Sequence, residues 1–176
     1  KDMTLSQLKE LDAGMKFSPF HAGTKIPTFE EFLLFSKGRT TRIYPEIKAI
    51  RTIDDIEIMV DLIKYHNMEN ITTIQAFNLE HLLEVRKHSD TIKLGYLRND
   101  MNITQWALDT IEQDGNVIVL ALQSELLSNQ SSVSMLLDKG IDVGAWVIPN
   151  RQTAEALLKL GVTKLMFDSY IGGFKK

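Results

Sequence analysis

Cysteine is absent from the 176 residues. That excludes disulfides, thiolate nucleophiles, cysteine-ligated zinc and iron–sulfur centres. It selects no compartment, because lack of cysteine suits cytosol and exterior alike. No apolar run approaches the roughly 20 residues that span a bilayer. A basic excess is lacking too: 20 Lys and Arg against 23 Asp and Glu give a net charge of −3. Neither nucleic acid nor an anionic membrane is therefore an expected partner. No glycine-rich phosphate loop follows the first predicted strand. The chain opens on Lys1 rather than methionine, so a processed product or a fragment is expected, and the lack of a signal peptide carries no information.

What is present is ordinary for a globular protein, with 44% hydrophobic and 24% charged residues, and a single domain over residues 1–176 is expected. Thr4-Leu5-Ser6-Gln7 and Thr28-Phe29-Glu30-Glu31 fit capping boxes that open two short helices. Glycine and proline interrupt the irregular stretch between them. From Arg42 onward apolar strands alternate with amphipathic helices. Strands are predicted at 42–48, 72–77, 92–97, 117–122, 142–148 and 164–168. Helices are expected at about 53–66, from Asn78, around 104–113, over Val133–Leu137, and from Asn150.

Such alternation predicts an α/β protein with a parallel sheet and right-handed crossovers. An open doubly wound sheet competes with a TIM (β/α)8 barrel, which takes eight strands and typically about 250 residues. The missing phosphate loop favours the barrel, incomplete in this chain, with about six βα units present and two units, on the order of 70 residues, lying before Lys1. Two bare strand edges are a liability for a monomer. Self-association, or an N-terminal segment that completes the barrel, is expected.

On a barrel the chemistry sits at the C-terminal ends of the strands. The residues expected there are Glu46, Lys48, Phe77, Tyr96, Gln123, Trp146 and Asp168. In Arg42-Ile43-Tyr44-Pro45-Glu46-Ile47-Lys48 the carboxylate and the ammonium lie two positions apart and so share one side of the strand. The pair reads either as a site for a hard cation and a phosphate or as a plain strand-end salt bridge. His21 is expected at the surface, and His66, His81 and His88 as solvated or capping residues. Asp54, Asp55 and Glu57 read as first-turn complements to a helix dipole.

Asp12-Ala13-Gly14, Phe17 and the run Gly23-Thr24-Lys25-Ile26-Pro27-Thr28-Phe29-Glu30-Glu31 closely resemble a segment of the glycerophosphodiester phosphodiesterase family. Glu46-Ile47-Lys48 matches that family's glutamate-x-lysine strand, and Gln75-Ala76-Phe77 its glutamine-serine-phenylalanine strand end with alanine for serine. Trp146 falls on its tryptophan strand, although Val147-Ile148-Pro149 departs from the threonine-valine-asparagine that follows there. Asp168 matches its closing aspartate, with Phe167 in place of threonine.

The resemblance implies a TIM barrel and metal-dependent cleavage of a glycerophosphodiester to glycerol phosphate and an alcohol. It implies Ca2+ or Mg2+, with Glu46 as one metal ligand, Lys48 as phosphate contact, and Phe77 and Trp146 as walls for the glycerol moiety. The family's histidine-arginine pair, glutamate-x-aspartate metal pair and second histidine find no counterpart in residues 1–41. No catalytic residue is therefore assigned in this chain, and the chain alone is expected to be inactive. The alternative is a non-catalytic remnant, a structural or glycerophosphate-polymer-binding module of a larger surface or phage-tail assembly.

Overall fold

The computed structural model describes residues 3–168. Both capping boxes form: the Thr4 hydroxyl accepts from the Gln7 amide before α1 (Leu5–Glu10), and Thr28 does the same for Glu31 before α2 (Phe29–Ser36). The linker between these helices is built on Asp12, whose carboxylate accepts from the amides of Gly14, Met15 and Gly23. Those donors, Gly23 foremost, hold its pKa below the ordinary carboxylate value. Gly14 is obligatory, because a Cβ there would lie 1.9 Å from the His21 carbonyl oxygen.

Helix α3 (Asp54–Tyr65) buries Ile56, Val60 and Ile63, the one-sided stripe of an amphipathic helix. The βα repeats follow: β1 (Thr73–Ala76), α4 (Leu79–His88), β2 (Lys93–Arg98), α5 (Gln105–Asp114) and β3 (Val117–Leu122). The helix pair α6 (Gln123–Ser128) and α7 (Gln130–Asp138), then β4 (Asp142–Trp146), α8 (Arg151–Lys159) and β5 (Lys164–Leu165) complete the described elements. Asn78, Thr104 and Asn150 cap α4, α5 and α8 through their side-chain oxygens.

All strand pairs are parallel, and the sheet order is β1-β2-β3-β4-β5. A doubly wound sheet reverses direction at a switch point, which places helices on both faces. Here every crossover advances the same way. One face packs against the helices, and the other carries a separate small apolar cluster of Leu97, Ile118 and Leu120 with Trp146 and Met166. This is an arc of barrel wall, an incomplete (β/α)8 arrangement.

Two strands differ from expectation. Segment 42–48 pairs with β1 through only two isolated bridges, Ile43 with Thr72 and Glu46 with Gln75. The reason is Pro45. Ile43 and Ile47 donate to the carbonyls of Ile71 and Gln75, and Pro45 accepts from Gln75, but proline has no N–H for the intervening rung. The last strand spans only Lys164–Leu165, although Met166 still exchanges bonds with Ala145 and Ile148.

The outer core is clamped by one ion pair. Arg86 on α4 donates to both Asp114 oxygens at 2.7 and 3.0 Å, and to the carbonyls of Ser89 and Ile92. The fork thus ties the ends of α4 and α5 to the entry of β2.

Candidate functional site

The bridge between Glu46 and Gln75 fixes which way Glu46 faces. Gln75 lies beside Gly95 and Leu120, since a Cβ on Gly95 would meet the Gln75 Cβ at 3.0 Å and Leu120 Cδ1 at 2.9 Å. Parallel register partners share a face, so Glu46 stands on the inner face. Lys48 follows it, with Nζ 3.8 Å from Glu46 Oε2; its side chain is 79% exposed and that of Glu46 24%. The contact is a loose ion pair at the rim.

Across the rim, Phe77 and Trp146 meet edge to face with ring centroids 5.8 Å apart. The Trp146 indole donates to the Leu120 carbonyl at 3.1 Å, which fixes the ring. A cavity of about 380 Å³ lies between Glu46, Lys48, Phe77, Asn78 and His81. The structure therefore groups Glu46, Lys48 and Phe77 around one space and joins Trp146 to it through Phe77. Asp168 lies in a bend three residues beyond the last strand and is exposed.

Two residues expected at this rim lie elsewhere. Tyr96 is buried among the helix-facing apolar residues, because Gly95 and Leu97 occupy the inward positions of β2, and its hydroxyl accepts from Arg98 at 2.9 Å. Gln123 is the first residue of α6 and has left the sheet. Among the histidines, His66 is the C-cap residue of α3, one of the two roles expected for it, but it is buried rather than solvated, with Nε2 3.1 Å from Glu30, joining the end of α3 to α2. His88 lies between Glu84 and Glu57, and His21 is exposed beside Phe17. His81, expected as a solvated or capping residue, instead lines the Glu46 cavity, and its buried Nδ1 has no hydrogen-bond partner among the described residues. Its place three residues past Asn78, on the first turn after a strand end, was the available signal.

A divalent cation needs several oxygen ligands. Among the described residues no group of three or more His, Asp or Glu side chains could hold a metal ion. The Glu46 carboxylate and the buried Gln75 Oε1, which lacks a hydrogen-bond partner among the described residues, are two oxygen groups on the same inner face. These do not make a cation site by themselves.

The inner face has a second polar end. Lys93 Nζ lies 2.7 Å and Lys164 Nζ 3.5 Å from the same oxygen of Asp142. The bond from Lys93 is the largest of the influences that lower the Asp142 pKa from its ordinary value. Gly144 makes this possible, since a Cβ there would lie 2.9 Å from the Lys164 Cβ. Lys93, Asp142 and Lys164 are the first residues of β2, β4 and β5, so only the register between strands brings them together.

A model of the glycerophosphoryl diester phosphodiesterase family matches residues 1–171. The chain is 28% identical over 172 residues to a glycerophosphodiester phosphodiesterase of Caldanaerobacter subterraneus, covering 96% of this chain and 68% of that protein. A glycerophosphodiester phosphodiesterase of Bacillus subtilis is 29% identical over 194 residues, covering all of this chain and 64% of its own length. In fold, the chain is similar to an Oleispira antarctica phosphodiesterase solved with its product sn-glycerol-3-phosphate, with a TM-score of 0.83 at 21% identity over 94% of this chain and 67% of that one. The chain thus spans about two thirds of the length of these relatives.

Proposed function

We propose that the complete protein hydrolyses a glycerophosphodiester, and the premise is plain: this chain belongs to the glycerophosphoryl diester phosphodiesterase family. The products are glycerol phosphate and an alcohol. The observation that carries this reading is the shared rim, where Glu46 and Lys48 flank one cavity with Phe77, and Phe77 meets Trp146 edge to face. Lys48, with its exposed ammonium at the rim, neutralises the diester's charge. The apolar edge of Phe77 and the fixed Trp146 ring pack the carbon skeleton of the glycerol. Glu46 serves as one ligand of a divalent cation, Ca2+ or Mg2+, whose remaining ligands come from outside the described residues. Such a cation supplies Lewis-acid stabilisation of a phosphoryl oxygen when bound.

Among the described residues the β1 edge meets only the two bridges of segment 42–48, and β5 has no further strand beside it, which supports completion of the barrel by two further βα units or by association. The 176-residue chain alone is then inactive. The name and bound product of the Oleispira antarctica neighbour make glycerol-3-phosphate-type substrates the first to try. The test measures release of glycerol phosphate from glycerophosphocholine and from a glycerophosphate polymer, with Ca2+, with Mg2+ and with chelator, for the complete gene product and for this chain. Cation-dependent turnover by the complete product, abolished by Glu46→Gln, is expected. Turnover that Glu46→Gln leaves intact would remove Glu46 from the site, and no turnover on any diester would overturn the reading.

A further inference from the structure

The Glu46 reading leaves the opposite end of the inner face without a role. There Arg42, Tyr44, Thr73, Lys93, Ile118 and Lys164 enclose a cavity of about 190 Å³. Three cations converge on it, and Asp142 is the one carboxylate in contact with any of them among the described residues. A single Asp142 oxygen takes both ammonium groups, at 2.7 and 3.5 Å. Arg42 has no carboxylate within ion-pair distance among the described residues, and its Nη1 reaches only the Thr73 hydroxyl, at 3.4 Å.

Each ammonium carries three donors and the guanidinium five, so the donors far exceed the acceptors that line the space. Converging like charges on one small volume cost free energy unless an anion answers them. The arrangement is also built: Gly144 leaves room for the Lys164 stem, and the register pairs Thr73 with Lys93 and Gly144 with Lys164.

We propose that this floor is a binding site for a small tetrahedral oxyanion of the phosphate class. Arg42 supplies the fork that fits two oxygens of such an anion, Lys93 and Lys164 supply point charges, and the Thr73 hydroxyl supplies a further donor. Asp142 keeps the two ammonium groups in place when the anion leaves. A cavity of this size has room for an ion of a few heavy atoms with some water, and none for a nucleotide. The inference rests on the floor alone, not on hydrolysis at the rim.

The test titrates the 176-residue chain with inorganic phosphate against chloride at matched ionic strength, which removes general screening. The readouts are heat of binding and the NMR signals of the lysine ammonium groups. Saturable binding is expected, with the Lys93 and Lys164 signals shifting. Arg42→Gln and, independently, Lys164→Gln are each expected to weaken it about tenfold, the worth of one charge-assisted bond. Lys87→Gln, an exposed lysine of α4 outside both sites, is expected to leave it unchanged. No saturable binding, binding that survives both floor substitutions, or binding lost with Lys87→Gln would each overturn the proposal.

Discussion

The two faces of the sheet are made of the same strands and obey different rules. On the outer face Ile74, Ala76, Leu94, Val119, Ala121, Val143 and Ala145 are all at most 1% exposed and pack against helices. On the inner face, at alternate positions of those strands, stand Thr73, Gln75, Lys93, Gly95, Asp142, Gly144 and Lys164. Among the described residues, only Leu97, Ile118 and Leu120 form an apolar cluster there, with Trp146 and Met166 against it. One face holds the fold by apolar burial; the other spends its positions on charge and on glycines that admit larger neighbours. The difference teaches that stability and chemistry are separated by a single step of the pleat.

That separation is breakable by mutation. The largest effects belong to the outer side. Arg86→Met removes the fork from Asp114, whose side chain is 8% exposed, and leaves its carboxylate without a counter-charge, held by the Asn116 amide, at a cost of about 3 kcal/mol. Leu94→Ala, on the helix-facing side of β2, opens a cavity worth about 2–5 kcal/mol. Urea midpoints check both. If the two substitutions shifted the midpoint no more than changes at the rim do, the division of labour between the faces would fail.

On the inner face the next effect is steric. Gly144→Ala places a Cβ 2.5 Å from Leu120 Cδ2 and 2.9 Å from the Lys164 Cβ, which costs about 1–3 kcal/mol through overpacking. Measured against Lys164→Gly alone, which removes that Cβ, the double variant Gly144→Ala, Lys164→Gly is expected to recover part of that loss. No recovery would mean that Leu120, not Lys164, sets the need for glycine.

Much of the outer face was legible beforehand. The stripe of Ile56, Val60 and Ile63, the capping boxes at Thr4 and Thr28 and the apolar run from Val117 to Leu122 are local patterns, and local patterns survive folding. Rim geometry was partly legible, because Glu46 and Lys48 sit two apart on one strand and alternation fixes their side. The floor was not. Lys93, Asp142 and Lys164 belong to three strands and meet only through the parallel register, which no window of sequence contains. Tyr96 shows the converse: it lies near a strand end, but its neighbours Gly95 and Leu97 take the inward positions, and it turns to the helices.

A smaller effect tests the floor against pH. Asp142 has a folded pKa below its unfolded one, chiefly through the bond from Lys93. Its contribution is therefore present above the ordinary carboxylate value, about 3.9, and is lost as pH falls through the lower folded value. Because the side chain is 43% exposed, solvent screening keeps this under about 1 kcal/mol. The stability gap between the parent and Asp142→Asn is expected to be constant near neutrality and to close in acid. A gap that widened in acid would reverse the sign and remove the Lys93 contact as its cause.

The smallest effect separates the two readings of Glu46 and Lys48. A strand-end salt bridge that serves the fold should lose stability when either partner is neutralised. The geometry argues against such a role: 3.8 Å between the charges, and a Lys48 side chain 79% exposed, leave a pair screened by water. Glu46→Gln and Lys48→Gln are each expected to move the urea midpoint by no more than about 0.5 kcal/mol equivalent. The midpoint of Glu46→Gln is the sharper of the two, since Glu46 is the less exposed partner and its backbone is bridged to Gln75. A loss above about 1.5 kcal/mol, the range of a structural bond to a charged group, would make the carboxylate a fold element. A midpoint within about 0.5 kcal/mol of the parent would instead leave Glu46 without a structural role.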